Sequence, residues 1–292
     1  MPYPKAAQRS LTAKRKPPMS SSPYSSKPSS KTPSKPGKAL RLNRFLAECG
    51  LGSRRRVEEL VLDGRILVNG EVCRDLSCQV NPQADEVALK GKGVLSLPTE
   101  QQYLMLNKPR GYVVTARDEF RRQTIYDLLP ERASKLRYAG RLDKDSEGLL
   151  LLTTDGELIN RLSHPRYKVE KVYKATISRR LSKQELDSLR KGVQIEGGLT
   201  RQAGVFVKSS SESGMTLKFV ITEGRKRQIR QMVEAVGAKV LTLKRLQFGT
   251  LHLRDLPAGR WRPLTQQEIR SLKSITGENK HENSTARPAQ KR

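Results

Sequence analysis

The hydrophobic positions of this chain follow helical and strand periods over its middle part only. From 40 to 90 they predict a small α/β module with two helices, the second capped by Ser53, and a hairpin that turns at Asn69-Gly70. A polar linker at 91–100 leads to a second region, 101–273, where strand and helix patterns mix without a regular βαβ order. That order predicts an α+β domain built on a mixed, largely antiparallel sheet.

Four consecutive leucines at 149–152 give the strongest strand signal of the second region, because such a run between turn residues is typical of a fully buried strand. The periodicity also predicts strands at 103–106, 112–115, 172–177 and 215–221, and helices at 156–163, 183–191 and 229–236. The last of these helices is amphipathic, with apolar residues at i, i+3, i+4 and i+7, so it should pack on the sheet.

The two ends of the chain, 1–39 and 274–292, lack any such pattern. Residues 1–38 contain eight prolines, nine serines, nine basic residues and no acid, a composition that cannot bury a core and predicts a disordered tail that binds RNA. An organelle transit peptide is a minor alternative, since it shares this composition but needs an apolar periodicity that is absent here.

The chain carries 57 Lys and Arg against 29 Asp and Glu, a formal net charge of +28. Between 39 and 273 the balance is 44 basic against 27 acidic side chains, or +17, so the excess is not confined to the tails. A folded region with that charge needs a polyanion, and nucleic acid is the expected partner. A basic membrane-surface protein is disfavoured, because no amphipathic helix combines a Lys/Arg face with bulky aromatic residues.

Membrane, redox and metal signals are all weak. No apolar run approaches the roughly 18 residues of a membrane span, and the first residues lack the apolar core of a secretory signal. Three cysteines form neither a disulfide framework nor a CxxC pair, which favours a reducing compartment, and we expect a cytoplasmic protein. The three histidines are scattered along the chain, so we expect no metal site.

Asp143 is the acidic residue that most suggests chemistry, because it stands in a polar loop just before the leucine run. If the segment from Gly140 to Asp143 is extended, Arg141 and Asp143 point the same way while Leu142 points into the core. A carboxylate and a guanidinium would then stand side by side on a rigid scaffold, where functional groups are commonly placed. A solvated acidic turn is the plain alternative.

A basic cluster precedes the amphipathic helix at 229–236. Arg225, Lys226 and Arg227 crowd its N-terminal end against the helix dipole and should contact phosphates. Arg230 lies about 100° around the helix from Ile229, at the border of the apolar stripe. We therefore expect Arg230 to form an ion pair with Asp143 that keeps this carboxylate ionised.

The small module also has arginines at the start of a helix. Arg54, Arg55 and Arg56 fill the first turn of its second helix, where each opposes the dipole by up to about 1 kcal/mol. This placement becomes favourable if a phosphate backbone binds there, with Arg41 and Arg44 of the first helix nearby. Ordinary solvated arginines are the alternative.

Several stretches of the chain together resemble the RsuA/RluB group of bacterial ribosomal RNA pseudouridine synthases. They are LNKPRGYVVT, GRLDKDSEGLLLLT, EKVYKATI, KGVQI and EGRKRQIRQM, and the module at 40–90 before them is similar to the S4 RNA-binding domain. The resemblance spans about 40–270. It implies a monomeric enzyme that needs no cofactor and converts a specific uridine to pseudouridine in ribosomal RNA or an assembly intermediate, with 23S RNA favoured.

The resemblance also implies residue roles: Asp143 as the catalytic aspartate, Tyr173 as the active-site tyrosine and Arg230 as the basic residue. Arg141 would help to hold the space vacated by the flipped base. The carboxylate could attack C1′ or assist proton removal from the sugar, and the sequence leaves both routes open. Two other functions also remain open: a non-catalytic S4-type assembly protein, and an RNA glycosidase that pairs Asp143 with Asp145 across the bond.

Overall fold

The computed structural model of the protein describes residues 39–116, 118–130, 133 and 135–275. The two expected tails lie almost entirely outside these residues, so their disorder stays a prediction. The last described helix runs to Ile275 and so includes the first two residues of the expected C-terminal tail, because Leu272 packs in the core and holds the final turn. Among the described residues, no helix is long and apolar enough to cross a bilayer.

The described residues form six α-helices and seventeen strands. The helices are α1 (Leu42–Glu48), α2 (Arg54–Leu62), α3 (Gly156–Ser163), α4 (Lys183–Lys191), α5 (Gln228–Ala235) and α6 (Gln266–Ile275). The strands are β1 (Leu40–Arg41), β2 (Ile66–Val68), β3 (Glu71–Cys73), β4 (Gln79–Val80), β5 (Val87–Leu89), β6 (Gly93–Val94), β7 (Tyr103–Lys108), β8 (Arg137–Ala139), β9 (Glu147–Thr153), β10 (Lys171–Ile177), β11 (Gln194–Ile195), β12 (Gly198–Leu199), β13 (Gly204–Ser211), β14 (Gly214–Ile221), β15 (Val240–Phe248), β16 (Leu251–His252) and β17 (Trp261–Pro263).

The small module packs α1 and α2 beside a four-stranded sheet of order β3-β2-β5-β6. Ser53 caps α2 as predicted, with its hydroxyl accepting a hydrogen bond from the backbone N–H of Arg56 at 3.2 Å. Asn69 and Gly70 both take positive φ, 53° and 85°, which is the backbone that a two-residue hairpin turn requires. The α/β module predicted from the sequence is therefore present.

The segment 91–100 is not wholly a linker, contrary to the sequence prediction. Strand β6 pairs with β5, and Leu95 and Leu97 pack against the core of the module. Burying these apolar side chains against the surface beside β5 is more favourable in free energy than leaving them in solvent. The compact module therefore continues past residue 90.

The second region is built on one nine-stranded sheet, and the prediction of a mixed, largely antiparallel sheet is confirmed. The main path runs β13-β14-β10-β15-β9-β7-β17, with β16 paired to β15 and β8 paired to β9. Every ladder in it is antiparallel except that between β15 and β9. This parallel ladder contains only two residue pairs, Lys244 with Glu147 and Arg245 with Gly148.

The leucine run lies at the centre of this sheet and is buried on both faces. Leu150 and Leu152 face a core shared with α4 and α5, whereas Leu149 and Leu151 face a core shared with α3 and α6. All four side chains have no solvent exposure. Successive strand residues point to opposite faces, so a run of four leucines fits a strand covered by helices on both sides.

The predicted strand at 112–115 does not form. Val113 makes only an isolated bridge to Thr124, through two backbone hydrogen bonds that involve Gln123 and Ile125. The strand before it, β7, is already paired with β9 on one side and β17 on the other. The segment therefore has no free edge of β7 to join, and it folds as a loop beside the sheet.

Candidate active site

A cavity of about 170 Å³ opens where β10 and β15 meet the loop after β8. Arg141, Asp143 and Tyr173 all line it, so the three side chains are brought together as expected. The loop is not extended throughout, because Gly140 takes a left-handed φ of 69°. Arg141 and Asp143 nevertheless reach the same space while Leu142 packs in the core.

A larger groove of about 800 Å³ adjoins this cavity and shares the loop from Gly140 to Asp143 with it. Its other side is formed by the loop that contains Phe120, which is 76% exposed, and Arg122, whose guanidinium stacks 4.9 Å from the centre of the Phe120 ring. Asp143 thus stands where an open groove meets a small cavity. The cavity has the size for a single base, and the groove has room for a strand of RNA.

Lys108, at the end of β7, fixes the loop that contains Asp143 by hydrogen bonds to its backbone. Its side chain has no solvent exposure, and its ammonium group donates to the carbonyls of Pro109, Lys144 and Ser146 at 3.0, 3.3 and 2.8 Å. Burial lowers the pKa of Lys108 to about 8, and the nearby carboxylate of Asp143 opposes this shift. Lys108 therefore joins the end of β7 to both sides of the turn that follows Asp143.

The expected ion pair between Arg230 and Asp143 is not formed, because Arg230 pairs with Asp145. The Nη2 atom of Arg230 lies 3.2 Å from Oδ2 of Asp145 and donates to its backbone carbonyl at 3.1 Å, while Nη1 donates to Val240 at 3.1 Å. A turn closed by the hydrogen bond from Ser146 N–H to Asp143 O brings Asp145 to α5. Asp143 is left at the cavity, and Asp145 is held by the two arginines Arg227 and Arg230.

Arg230 is largely desolvated in this position. Its side chain is 11% exposed, and burial lowers its pKa while the carboxylates of Asp145 and Asp143 act in the opposite direction. Arg230 does not line the cavity. It supports the turn after Asp143 rather than facing the space where a base would lie.

The three basic residues before α5 differ in their partners. Arg225 lines the groove, but its guanidinium donates to the carbonyls of Gly197, Gly198 and Leu199, so the expected phosphate contact competes with these bonds. Arg227 occupies the N-cap position of α5 and lies 3.5 Å from Asp145. Lys226 is 75% exposed and lines the groove, as a phosphate contact requires.

In the small module, four of the five arginines expected to bind RNA are exposed. Arg41 is exposed, and so are the three arginines of the first turn of α2: Arg54, Arg55 and Arg56. Arg44 is instead held by two carboxylates, that of Glu48 at 2.8 Å and that of Glu157 in α3 at 3.4 Å. Its expected phosphate contact competes with these ion pairs.

The cavity is also lined by polar residues that no sequence pattern indicated. Glu223 is 7% exposed and accepts from Gln228 Nε2 at 2.7 Å and from Arg201 N–H at 3.0 Å. Lys171 and Arg245 also line the cavity, and burial, with Arg245 acting in the same direction, lowers the pKa of Lys171 to about 8. The only sign of Lys171 and Arg245 in the sequence is that each is a basic residue in a largely apolar strand, at a position that faces inward.

Within the described residues, no group of three or more His, Cys, Asp or Glu side chains could hold a metal ion. The cavity instead offers one free carboxylate, one tyrosine and several cations. This donor set suits a reaction on a polyanionic substrate in which a carboxylate acts on a sugar carbon or a sugar proton.

The fold and site define an enzyme that acts on RNA, and the comparisons with known proteins identify its class. The model of the RNA pseudouridylate synthase family matches residues 102–235, and that of the S4 domain matches residues 40–87. An uncharacterized RNA pseudouridine synthase of Aquifex aeolicus (strain VF5) is 39% identical over 82% of this chain and 95% of that protein. The ribosomal large subunit pseudouridine synthase B of Bacillus subtilis (strain 168) is 37% identical over 82% and 98%.

A solved structure is also similar: a crystal structure of a pseudouridylate synthase, at 33% identity and a TM-score of 0.59, covers 80% of this chain and 99% of its own. The chain therefore belongs to the RNA pseudouridylate synthase family and carries an N-terminal S4 domain. It is an isomerase that converts uridine to pseudouridine in RNA.

Proposed function

We propose that this enzyme isomerises a specific uridine of large-subunit (23S) ribosomal RNA, free or in an assembly intermediate, with Asp143 as the catalytic group. The observation that carries the proposal is the position of Asp143 at the junction of the base-sized cavity and the open groove. A nucleotide that leaves its stack in the groove can enter the cavity, so its C1′ atom reaches the carboxylate. Flipping requires a few kcal/mol, which favours loops and partly folded RNA.

The reaction needs a carboxylate and a ring that holds the freed base. Asp143 attacks C1′ or assists removal of a sugar proton, and the C1′–N1 bond breaks in either route. Tyr173, which lines the cavity with Asp143, stacks on the released uracil and handles the proton on C5. Arg141, exposed at the mouth of the cavity, fills the space that the base leaves.

Arg230 takes part as a positioning residue in this proposal. It anchors Asp145, two residues beyond Asp143, and so fixes the turn from which the catalytic carboxylate projects. Lys226 in the groove and the exposed arginines of the small module bind the RNA backbone.

The choice of large-subunit RNA rests on the Bacillus subtilis relative, whose name states that substrate. The proposal also places the enzyme in the bacterial cytoplasm, where ribosomes assemble, and has it act as a monomer on one RNA. Maps of pseudouridine in ribosomal RNA from a deletion strain test the assignment. Loss of one site in the large subunit supports it, and loss of a small-subunit site contradicts it.

The glycosidase alternative is disfavoured by the position of the second carboxylate. Asp145 does not line the cavity and is tied to Arg227 and Arg230, so it cannot stand across the bond from Asp143. The products distinguish the two reactions, because a glycosidase releases uracil whereas an isomerase leaves the mass of the RNA unchanged.

The Asp143→Asn variant tests the catalytic role and the non-catalytic alternative together. Turnover should fall at least ~10³-fold, equivalent to about 4 kcal/mol of barrier, because the amide can neither attack C1′ nor accept a proton. Binding to RNA and thermal unfolding should change little, since the amide keeps the shape. Asp255→Asn, an exposed aspartate outside the cavity lining, is the control. Substantial isomerisation by a pure Asp143→Asn preparation would refute the assignment.

A further inference from the structure

Two buried polar groups of the cavity wall have no hydrogen-bond partner among the described residues. They are Nη2 of Arg245, a residue only 2% exposed, and the hydroxyl of Ser146, 1% exposed. A buried donor without a partner is unfavourable by about 1–3 kcal/mol, so such groups commonly meet a ligand. Two of them in one small cavity indicate that a polar part of the substrate binds there.

The position of Arg245 is fixed from three sides. Its Nε donates to the carbonyl of Leu149 at 2.7 Å. This side-chain bond replaces the next backbone hydrogen bond between β9 and β15, whose pairing ends at Gly148 and Arg245. Its guanidinium lies 4.9 Å from the centre of the Phe248 ring. A Cβ atom on Gly148 would lie 2.2 Å from the Arg245 carbonyl, so glycine is required for this close approach. The guanidinium is thus held in place before any substrate binds.

Lys171 adds a second cation to the same wall. It pairs across the sheet with Phe248, and its ammonium group lies 5.7 Å from the centre of that ring. Tyr173, two residues along the same strand, pairs across the sheet with Arg245. Directly opposed strand residues lie about 4.5–5.5 Å apart at Cβ, so the tyrosine that stacks on the base has a cation directly beside it.

The charge of the cavity is unbalanced. Its lining contains five Lys and Arg side chains and two carboxylates, those of Asp143 and Glu223. Glu223 is already engaged by Gln228 and lies 3.4 Å from Arg225. The carboxylate of Glu223 opposes the lowering of the Lys171 pKa, but among the described residues no carboxylate forms an ion pair with Lys171 or Arg245. The wall formed by these two cations therefore keeps a positive charge.

We propose that Arg245, assisted by Lys171, binds a carbonyl oxygen of the flipped uracil and stabilises the negative charge of the base after its glycosidic bond breaks. When the C1′–N1 bond breaks, its electron pair stays with the uracil and is shared among N1, O2 and O4. A buried cation at O2 or O4 stabilises this charge more than it stabilises neutral uridine, as catalysis requires. The electron pair of the base then forms the C5–C1′ bond, which makes the base neutral again. In the attack route the bond between Asp143 and C1′ breaks at this step, and in the other route the sugar regains its proton. The proton on C5 finally leaves and N1 gains one, with no further change of charge.

This inference rests on the proposed function, and the test uses the full-length enzyme on RNA fragments that contain the mapped target uridine. Arg245→Met and Lys171→Met remove the cations, Arg245→Lys keeps the charge without the planar fork, and Lys174→Met is the matched control. Lys174 lies on the same strand but is exposed and outside the cavity lining. The measurement is the single-turnover rate at saturating RNA. Arg245→Met should lower this rate about 10²–10³-fold, as loss of one oxyanion donor does, and the control should leave it unchanged.

Substrates in which sulfur replaces O2 or O4 of the target uridine separate a direct contact from a structural role. Sulfur is a weak acceptor, so the native enzyme should lose rate on the RNA whose contacted oxygen is replaced. Arg245→Met and Lys171→Met should lose little more on that RNA, which is the signature of coupled groups. If the substitution in the enzyme and the sulfur in the RNA each lower the rate independently, so that the two rate losses multiply, the inference is overturned. A higher KM with an unchanged rate at saturating RNA would also overturn the inference, because the cations would then bind a phosphate and not the base.

If Arg245→Met is not folded, as judged by the loss of cooperative unfolding, the coupling to the sulfur substitution is measured with Arg245→Lys and Lys171→Met. The absence of coupling in both of these variants also overturns the inference. A native enzyme that makes no pseudouridine in any ribosomal RNA refutes the proposed function, and the subsite with it. A native enzyme that is active while its variants show no coupling refutes the subsite alone.

Discussion

The pair formed by Asp145 and Arg230 allows a quantitative test of how the catalytic turn is held. In Asp145→Asn the carboxylate that faces Arg230 at 3.2 Å and Arg227 at 3.5 Å becomes neutral, with no change in shape. Breaking a fully buried ion pair destabilises a protein by about 3–5 kcal/mol, whereas an exposed pair contributes about 0–1 kcal/mol. Arg230 is 11% exposed and Asp145 is 40% exposed, so this pair lies between the two limits.

Two hydrogen bonds of Arg230 do not depend on the carboxylate. Its bonds to the carbonyls of Asp145 and Val240 survive the substitution. We therefore expect the free energy of unfolding to fall by about 1–2 kcal/mol, or a Tm lower by about 3–6 °C for a domain of this size. If the same ~1–2 kcal/mol normally serves to position the turn for catalysis, the single-turnover rate should fall about 5- to 30-fold.

Thermal unfolding and single-turnover pseudouridine formation measure the two effects. Asp187→Asn is the control, because Asp187 is as exposed as Asp145 (43% against 40%) but lies on α4, outside the cavity, and its partner Arg190 is more exposed than Arg230 (42% against 11%). A loss as large as that of Asp143→Asn would mean that Asp145 takes part in the chemistry. Unchanged stability and rate would mean that Arg230 is held by the carbonyls alone, and the positioning argument would be wrong.

Three further predictions concern the RNA surface and the buried lysine. Replacing Arg54, Arg55 and Arg56 with Gln should weaken RNA binding and lower the log–log salt slope by about 0.7 for each lost contact to single-stranded phosphate; an unchanged slope in binding titrations would mean that they are only solvated. Phe120→Ala should raise KM and leave the Tm unchanged, since loss of a stacked base weakens binding by about 1–3 kcal/mol, and steady-state kinetics with unchanged KM would contradict this. The pKa of Lys108 is lowered from 10.5 to about 8, so the unfolded chain binds more protons between these values and the free energy of unfolding should rise with pH across them. Urea titrations should show a smaller rise for Lys108→Met, and an equal rise would assign the effect to other groups.

The sequence predicted those elements whose residues satisfy a local rule. The helices predicted at 156–163 and 183–191 have the predicted bounds, and each begins after a cap, Asp155 or Ser182, that bonds within the first turn of its own helix. The strand at 112–115 failed because strand formation depends on a free neighbouring edge, which no local pattern reports. The pairing of β6 with β5 was missed for the same reason.

The candidate site shows the same division between local and tertiary information. Spacing was enough to place Arg141 and Asp143 on one side of a loop, and the resemblance to a family added Tyr173 on a separate strand. The partner of Arg230 could not be predicted from helix phase, since the turn after Asp143 moves the chain so that Asp145 reaches α5 first. Helix phase gives the direction of a side chain, and only the tertiary structure decides which carboxylate it meets.

The buried cations explain why the acidic residues alone described the site incompletely. Lys108 is held by carbonyl oxygens, Arg245 by a carbonyl and the Phe248 ring, and Lys171 by a carbonyl and the same ring. No carboxylate forms an ion pair with any of the three within the described residues. Buried charge without a counter-ion destabilises the free protein, and a bound polyanion that supplies the counter-charge offsets this. Arg245 and Lys171 line the cavity whereas Lys108 does not, so in the proposed subsite it is the charge of Arg245 and Lys171 that stabilises the uracil at the step where it becomes negative.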